Sequence, residues 1–305
     1  MDYKIFKLSF LNGVHFGEGT LDDTAYTFMA DTMFSALCLE SLKSGKEQLE
    51  ELVSKTKSGD LSFSDAFPYI KGTYYIPKPN IRIESNNEGD SVLKKKYKNT
   101  QYIDSSLISR FVAGDYPEEK LGKLSNLGIK EKRTLVSIRG QEKTEPYRIG
   151  VYRYRENAGL YIIVGYSSDD VLNFVADIMD SLAESGIGGK RSSGMGRFTY
   201  QIVDMPGYFS GRIDKTTGRN MLLSAALPRE EEIEETMINS NYTLIKRSGF
   251  VFSENYSDEL RKKDDLFVFK AGSCFEKTFQ GDIYDVSRGG NHPVYRYARP
   301  MFMSV

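Results

Sequence analysis

Apolar residues recur at the spacing of an amphipathic helix in two stretches of the chain. Over residues 171–182 they fall three and four positions apart, and Ser168 stands just ahead as the expected N-cap. The same spacing follows Asp31 and Thr32, either of which is a suitable cap, until Gly45 ends the predicted helix. The residues predicted to face inward from this first helix are Phe34, Leu37, Cys38 and Leu42.

Short apolar or alternating runs around these helices predict strands. In the first two thirds of the chain the runs cover residues 5–10, 74–79, 160–164 and 198–203. Prolines in the second run should keep it out of the middle of a sheet. Together with the helices, the order is strand, helix, strand, strand, helix, strand, which is the βαββαβ pattern of a ferredoxin-like fold. A long insertion, at about residues 84–157, separates the second strand from the third.

The last third of the chain repeats this mixture of strands and helical segments. The predicted strands there cover residues 221–226, 242–245, 266–269 and 294–297. The acidic run over residues 229–235 is predicted to be a solvated helix face rather than a metal site, because consecutive carboxylates point in different directions. We therefore predict an α+β protein with one unit over residues 1–205 and a second over residues 206–305.

One segment between the second helix and the strand after it has an unusual composition. Residues 186–197, which we call the glycine loop, contain five glycines, three cations and two hydroxyls. Glycine permits positive φ and lets backbone N–H groups approach an anion, so the segment predicts a phosphate-binding loop. It follows a helix and precedes a strand, and no Ser or Thr follows Gly189-Lys190. Neither a dinucleotide fingerprint nor a P-loop therefore fits.

Further candidate contacts with nucleic acid lie outside the glycine loop. Basic residues interleaved with tyrosines occur in the insertion, among them Lys94, Lys95, Lys96, Arg133 and Arg139. That mixture is typical of a groove that follows a nucleic-acid backbone and stacks bases, but a solvated basic face explains it equally well. The Gly272-Ser273 turn at a strand end is a weaker candidate phosphate site.

Composition limits the possible functions. With 41 basic and 42 acidic residues the net charge is −1, so any contact with nucleic acid must come from a local patch. The two cysteines are far apart in sequence, and no Cys or His cluster suits a metal, so no metal or other cofactor is predicted. The sequence shows neither a signal peptide nor a membrane-spanning run, and we expect a cytoplasmic protein with no membrane partner.

Several of these segments together resemble the RAMP superfamily of CRISPR proteins. They are the GIGGKRSSGMGRF loop, the early LSFLNGVHFGEG and DTMFSAL stretches, the segment from Phe67-Pro68 to YYIPKP, and the closing FKAGSCF and HPVYRYARP. The resemblance covers nearly the whole chain. Within the superfamily, the chain looks most like the subunit of type III-A (Csm) effector complexes that holds the 5′ handle of the crRNA.

The resemblance implies two ferredoxin-like, RRM-like folds in tandem, with a thumb hairpin within residues 84–157 that inserts at the guide–target RNA duplex. It also implies a place in antiviral defence, between the large polymerase-like subunit and the first repeated backbone subunit, and no enzymatic activity. Carried over to this sequence, RNA contact falls on His15, Phe16 and Gly17 of an N-terminal loop and on the glycine loop. The glycine-loop residues concerned are Gly186, Gly188, Gly189, Lys190, Arg191, Ser192, Ser193, Gly194, Gly196 and Arg197.

Two alternative functions remain open from the residues alone. A metal-independent crRNA-processing endoribonuclease of the same superfamily would need an acid and a base at one phosphate. The histidines available for this are His15 and His292, and a stacking or backbone-bonding role is favoured for His15. A pure assembly subunit, whose glycine loop docks protein rather than RNA, would fit the near-zero net charge and the many aromatic residues.

Overall fold

The computed structural model describes residues 1–82, 91–122, 124–137, 145–213, 215, 218–253 and 256–305. The strands before residue 205 are β1 (Asp2–Phe10), β2 (Phe16–Glu18), β3 (Thr20–Ala25), β4 (Leu61–Phe63), β5 (Phe67–Ile70), β6 (Thr73–Pro77), β7 (Tyr102–Asp104), β8 (Gly128–Ser137), β9 (Glu145–Tyr154), β10 (Ala158–Tyr166) and β11 (Phe198–Asp204). The helices there are α1 (Ala30–Ser44), α2 (Lys46–Ser58), α3 (Ser91–Asn99), α4 (Ile108–Val112) and α5 (Asp169–Ser185).

The remaining elements belong to the last third. They are α6 (Gly207–Ser210), β12 (Asn220–Leu222), α7 (Ile233–Thr236), β13 (Leu244–Arg247), β14 (Leu266–Phe269), β15 (Cys274–Phe275), β16 (Ile283–Asp285), β17 (Tyr295–Tyr297) and β18 (Phe302–Ser304). Single 3₁₀ turns occupy Ser105–Leu107, Glu118–Lys120, Arg191–Ser193 and Glu230–Glu232. No helix in the described ranges is both long enough and apolar enough to cross a bilayer.

A seven-stranded antiparallel sheet forms the centre of the molecule. Its strands run in the order β11, β1, β10, β5, β6 and β7, and β4 also pairs with β10. Alternate residues of β1 face opposite sides of the sheet: Phe6 and Leu8 pack with helices α1 and α5, whereas Ile5 packs with Met221 and Met303 of the last third. Both faces are thus covered, which explains why every residue of β10 is buried.

The helices and strands predicted around the glycine loop are confirmed. Helix α5 begins where predicted, and the Ser168 hydroxyl accepts a hydrogen bond from the backbone N–H of Val171 at 3.4 Å. Gly45 ends α1. The strand predicted over residues 74–79 is present as β6, but the expectation that it stays out of the middle of the sheet is wrong, since β6 pairs with both β5 and β7. The sheet tolerates Pro77 because proline's missing N–H falls at the last residue of the strand.

The predicted cap of α1 is also wrong. Met29 precedes the helix without a side-chain cap, and Asp31 lies inside the first turn. The Asp31 carboxylate instead accepts hydrogen bonds from Arg247 at 2.8 Å and from Arg296 at 2.9 Å. These buried ion pairs join α1 to strands β13 and β17 of the last third. Leu42, predicted to face inward, is 48% exposed.

The insertion contains more than a hairpin. It includes α3 and α4, together with β7, which joins the central sheet beside β6. Strands β8 and β9 follow and pair antiparallel along ten residues each, and we call them the β8–β9 hairpin. This hairpin lies where the thumb is predicted.

Short strands dominate the last third. Strand β12 pairs with β15 and β18, while β13 pairs with β14 and β16 with β17. Strands β14 and β17 confirm two of the predictions. The described helices there, α6 and α7, have four residues each, so a second βαββαβ unit and a division near residue 205 stay predictions. The Tyr297 hydroxyl accepts a hydrogen bond from the Phe63 N–H at 3.0 Å, so the core is continuous across this division.

Candidate nucleic-acid interface

The glycine loop connects α5 to β11, as predicted, and its backbone reverses direction repeatedly. Positive φ angles occur at Gly186, Gly188, Lys190, Gly194 and Gly196. At Gly196 an added Cβ would stand 2.1 Å from the Ile187 carbonyl oxygen, and at Gly186 it would stand 2.8 Å from that of Met195. The loop path therefore depends on glycine at both positions.

The glycine loop packs directly against the N-terminal loop that contains His15. The Gly189 N–H donates to the His15 carbonyl oxygen at 2.8 Å, and the Gly196 N–H donates to that of Gly13 at 3.2 Å. A Cβ at Gly188 would lie 2.8 Å from the same His15 oxygen. These N–H groups are thus already bonded to protein. The glycines bring two loops together, and any phosphate contact falls mainly to the loop's cations and hydroxyls.

Two aromatic side chains predicted to contact RNA are buried. His15 is 6% exposed, and its Nδ1 lies 2.8 Å from the Gly150 carbonyl oxygen on β9. Phe16 is 5% exposed and packs against the rings of Phe10 and Phe28. Neither ring presents a free face on which a base could stack. Gly17, next along the chain, is exposed.

The charged residues of the glycine loop differ in their surroundings. The Lys190 ammonium lies 4.7 Å from the ring centre of Tyr147 on β9. Arg191 lies 3.8 Å from Glu40 and 5.4 Å from the ring centre of Phe252. Residues 192, 193 and 197, which are two serines and an arginine, are exposed. The exposed serine hydroxyls and the Arg197 guanidinium are therefore the loop groups most open to a ligand.

Ion pairs fix the base of the β8–β9 hairpin against β3. Lys132 bonds to Asp22 at 2.6 Å, and Lys130 pairs with Asp23. The hydrogen bond from Lys132 lowers the pKa of Asp22 to about 2. Arg133 is half-buried and lies 3.6 Å from Glu131 of the same strand. The charges of Lys130 and Lys132 thus serve the docking of the hairpin, whereas the Arg133 pair lies within β8.

The other predicted basic residues lie apart from the hairpin. Lys94, Lys95 and Lys96 are exposed on α3, which precedes β7. Arg139 falls outside the described residues. Among the described residues of the insertion, the three lysines therefore belong to a different element from the basic residues of the hairpin.

A cleft of about 900 Å³ opens between the glycine loop, the base of the hairpin and the last third of the chain. Gly188 and Gly189 line it together with Gly17. Its other lining residues include the cations Lys78, Lys130, Arg247 and Lys270, and the polar side chains of Tyr26, Gln101 and Tyr152. Glu18 and Asp65 also line the cleft, and Lys130 and Arg247 are paired with carboxylates, so Lys78 and Lys270 are its two cations without a salt bridge among the described residues. Together with the aromatic and amide groups, these two cations suit a single nucleic-acid strand.

Sequence reasoning missed most of the residues that line this cleft. Lys78 follows β6, whereas Arg247 and Lys270 come from the last third. Lys78 and Lys270 are single cations in their segments, and Arg247 has only Lys246 beside it, so no long basic run marks any of them. Lys78 lies in the YYIPKP stretch that supports the family resemblance, and this was the one available signal.

The Gly272-Ser273 turn does not present a phosphate site. Ser273 is completely buried, and its hydroxyl donates to the Lys270 carbonyl oxygen at 2.7 Å while accepting from the Thr243 N–H at 3.2 Å. Gly272 is buried against Lys78, whose carbonyl oxygen would lie 2.8 Å from an added Cβ. We therefore leave both residues out of the interface. The turn instead connects the last third to the end of β6.

Asp65 lies in the wall of the cleft and is buried. Burial raises its pKa to about 7, although its carboxylate accepts hydrogen bonds from the N–H groups of Ala30 at 2.8 Å and Ala225 at 2.9 Å. A carboxyl with a raised folded pKa destabilises the fold above its unfolded pKa, and the loss is complete above about pH 7.

Replacing Asp65 with asparagine should therefore stabilise the protein at pH 8, by up to about 4 kcal/mol, and have little effect near pH 4. Asparagine keeps a carbonyl oxygen for the two N–H donors. Thermal unfolding at both pH values measures the change. Asp60→Asn is the control, because Asp60 is exposed and a hydrogen bond from Ser58 lowers its pKa, so it should show no gain at pH 8. A destabilised Asp65→Asn protein at pH 8 would show that the ionised carboxylate stabilises the fold, and so that its folded pKa is not raised.

The described residues contain no group of three or more potential metal ligands. The two histidines lie in different settings. His15 is bonded to β9, whereas the His292 Nε2 lies 2.9 Å from the Ser253 hydroxyl and its ring packs on Tyr256. The two histidines are thus held by different parts of the protein, one at the hairpin and one in the last third.

Known proteins resemble this chain over its whole length. A family model described as the CRISPR Csm4 C-terminal domain matches residues 215–305. The CRISPR system Cms protein Csm4 of Streptococcus thermophilus is 36% identical, and the match covers 100% of this chain and 99% of the relative. The protein of the same name from Mycobacterium tuberculosis H37Rv is 34% identical, with 100% and 98% covered.

Solved structures share the fold. A chain from the Csm3-Csm4 subcomplex of the type III-A CRISPR-Cas interference complex matches with a TM-score of 0.65 at 21% identity, covering 99% of both chains. A chain from the Csm1-Csm4 cassette in complex with AMPPNP matches with a TM-score of 0.62 at 19% identity, covering 100% of this chain and 98% of that one. At these identities the similarity establishes the architecture.

Proposed function

This chain belongs to the Csm4 family of CRISPR proteins, and from that membership we propose that it is the RNA-binding subunit of a type III-A interference complex that holds the 5′ handle of the crRNA. The family resemblance predicted from the sequence is confirmed. One observation supports the RNA-binding role above the others. Gly188 and Gly189 belong to the glycine loop and also line the cationic cleft, so loop and cleft form one continuous surface.

A single RNA strand fits the chemistry of this surface. Arg197, Ser192 and Ser193 are exposed on the glycine loop, and Lys270 is exposed at the cleft. Cations and hydroxyls bind phosphates and 2′-hydroxyl groups. The net charge of −1 provides no global attraction for RNA, so binding has to come from local groups such as these.

The proposal extends to the architecture. The strand order β11, β1, β10, β5, with α1 and α5 on one face, supports a ferredoxin-like fold in the first half. We propose a second such fold in the last third. We also propose that the β8–β9 hairpin is the thumb that reaches the guide–target duplex. Arms of ten residues extend for about 33 Å, which is long enough to reach beyond the cleft.

We propose protein partners from the solved structures of similar fold. Those structures contain Csm4 with Csm3 and Csm4 with Csm1. By analogy, this chain would join a large subunit of the Csm1 kind to a backbone subunit of the Csm3 kind. Exposed apolar residues in the last third, such as Leu244 and Leu260, offer area for such contacts.

We propose that the chain binds RNA without cleaving it. Proton transfer at a 2′-hydroxyl needs a base within hydrogen-bond reach of the RNA. His15 is buried and its Nδ1 is bonded to a backbone carbonyl group, while His292 is bonded to Ser253 in the last third. Their settings support a structural role for each.

Purification of the tagged protein from its host, followed by sequencing of the bound RNA, tests this function. The wild-type protein should contain short RNAs with one common 5′ end, together with Csm1-like and Csm3-like subunits. A Lys190→Gln, Arg197→Gln double variant should lose roughly tenfold or more of the RNA affinity and keep its protein partners. For this variant, the slope of log K for RNA binding against log salt concentration should be shallower by about 1.4, because two phosphate contacts are lost.

The matched control is Lys277→Gln, which removes one charge from an exposed lysine paired with Glu235 on α7. It should leave RNA binding unchanged. Wild-type protein that contains no RNA, or a double variant with unaltered RNA affinity, would refute handle binding. A double variant that loses its protein partners instead would assign the glycine loop to assembly.

A further inference from the structure

Phe252 is an exposed aromatic residue beside the glycine loop. Its side chain is 73% exposed, although the guanidinium group of Arg191 lies 5.4 Å from the centre of its ring. An arginine over one face of the ring leaves most of the opposite face open to solvent. Phe252 belongs to the last third of the chain and is not among the residues that line the cleft.

A buried carboxylate determines where Arg191 lies. Glu40 on α1 is 2% exposed, and its Oε2 accepts hydrogen bonds from Lys43 at 2.6 Å, Ser181 at 2.8 Å and Ser185 at 3.0 Å. Its Oε1 accepts no hydrogen bond within the described residues and lies 3.8 Å from Arg191. The Arg191 side chain is thus positioned by charge.

The Arg191 guanidinium remains able to bind a phosphate. It donates no hydrogen bond within the described part of the chain, and its only close acceptor there is Glu40 at 3.8 Å. An arginine has five N–H donors in a planar fork that suits a phosphate. A guanidinium beside an open aromatic face therefore matches one nucleotide, because the cation binds the phosphate while the ring stacks the base.

We propose that Phe252 stacks an unpaired base of the RNA strand held by the glycine loop, with Arg191 contacting the adjoining phosphate. This inference rests on the proposed RNA-binding function and extends the RNA path beyond the cleft, past the 3₁₀ turn at Arg191–Ser193. Stacking is tolerant of base identity, so this contact supplies affinity and leaves the choice of sequence to other groups.

The absence of tryptophan from the whole chain makes a direct test possible. Phe252→Trp would introduce the only tryptophan, and its fluorescence should be quenched when a short single-stranded oligouridylate binds. Phe252→Ala should weaken binding of the same RNA roughly 5- to 150-fold, and Phe252→Trp should retain the wild-type affinity. The matched control is Phe267, which is 56% exposed on β14. Phe267→Trp should not be quenched, and Phe267→Ala should bind normally.

The outcomes separate this inference from the proposed function. If Lys190→Gln, Arg197→Gln weakens RNA binding but Phe252→Ala does not, handle binding stands and stacking on Phe252 is wrong. If none of these variants changes RNA binding, both fail. Loss of a protein partner from Phe252→Ala, with RNA affinity intact, would overturn the inference and assign Phe252 to a protein contact.

Discussion

Replacing Asp31 with alanine should lower the free energy of unfolding by about 3–5 kcal/mol, a large part of the stability of an ordinary domain. The Asp31 carboxylate is buried and accepts hydrogen bonds from Arg247 and Arg296. Alanine would leave Arg296, whose side chain is 6% exposed, without its counterion in a low-dielectric site. Urea unfolding followed by circular dichroism measures the loss.

The effect of Asp31→Ala should also depend on pH. Burial raises the pKa of Asp31, but the charges and hydrogen bonds of Arg247 and Arg296 outweigh burial and lower the pKa below its ordinary value. A carboxyl with a depressed folded pKa stabilises the fold above its unfolded pKa, and this contribution disappears as pH falls through the folded pKa. The difference from wild type should therefore be full at neutral pH and shrink in strong acid.

Glu51→Ala is the control for Asp31→Ala. Glu51 forms an exposed pair with Lys55 at 3.1 Å on helix α2, and its removal should change the free energy of unfolding by no more than about 0.5 kcal/mol. If Asp31→Ala also lowered the free energy of unfolding by no more than about 0.5 kcal/mol, the packing of α1 against the last third would not depend on this carboxylate.

The sequence was sufficient to predict elements whose signal lies within one segment. Helix α5 and strand β10 each have their periodicity, cap or apolar run in a stretch of fewer than twenty residues. Asp31 is different, because its partner Arg247 is 216 residues away along the chain and Arg296 is 265 residues away. An aspartate near a helix start looks the same in sequence whether it caps the helix or pairs with a distant arginine. Only the tertiary fold distinguishes the two roles.

In the candidate interface, too, the features that lie within one segment were predicted, and those that join distant segments were not. The glycine content of residues 186–197 correctly predicted a loop with positive φ angles between α5 and β11. It did not reveal that the N–H groups of Gly189 and Gly196 bond to the His15 and Gly13 carbonyl groups, because those partners lie in another loop. Of the cleft, the sequence predicted Gly17, Gly188 and Gly189 but missed the cations from other segments. Its cations Lys78 and Lys270 come from separate segments, and no local pattern connects them.

Replacing Gly196 with alanine should disrupt both the glycine loop and RNA binding. Its φ is +78°, and the new Cβ would stand 2.1 Å from the Ile187 carbonyl oxygen, which is backbone and cannot swing aside. Left-handed strain together with overpacking should lower the free energy of unfolding by about 2–5 kcal/mol. We expect RNA affinity to fall roughly tenfold or more, since a shift of about 1 Å misplaces the neighbouring Arg197. Urea unfolding and a filter-binding titration measure the two effects.

Gly194→Ala is an unusually close control, because Gly194 has the same φ of +78° and an added Cβ there would meet no atom within 4 Å. Gly194→Ala should lower the free energy of unfolding by about 1–2 kcal/mol, through the strain of the left-handed backbone alone, and leave RNA affinity nearly unchanged. The difference between the two variants therefore isolates the close approach of the Ile187 and Gly196 backbones. Equal losses in the free energy of unfolding would mean that left-handed backbone strain alone accounts for the requirement for glycine at both positions. A stable Gly196→Ala protein that binds RNA normally would mean that the loop path is not what positions Arg197 for the proposed contact.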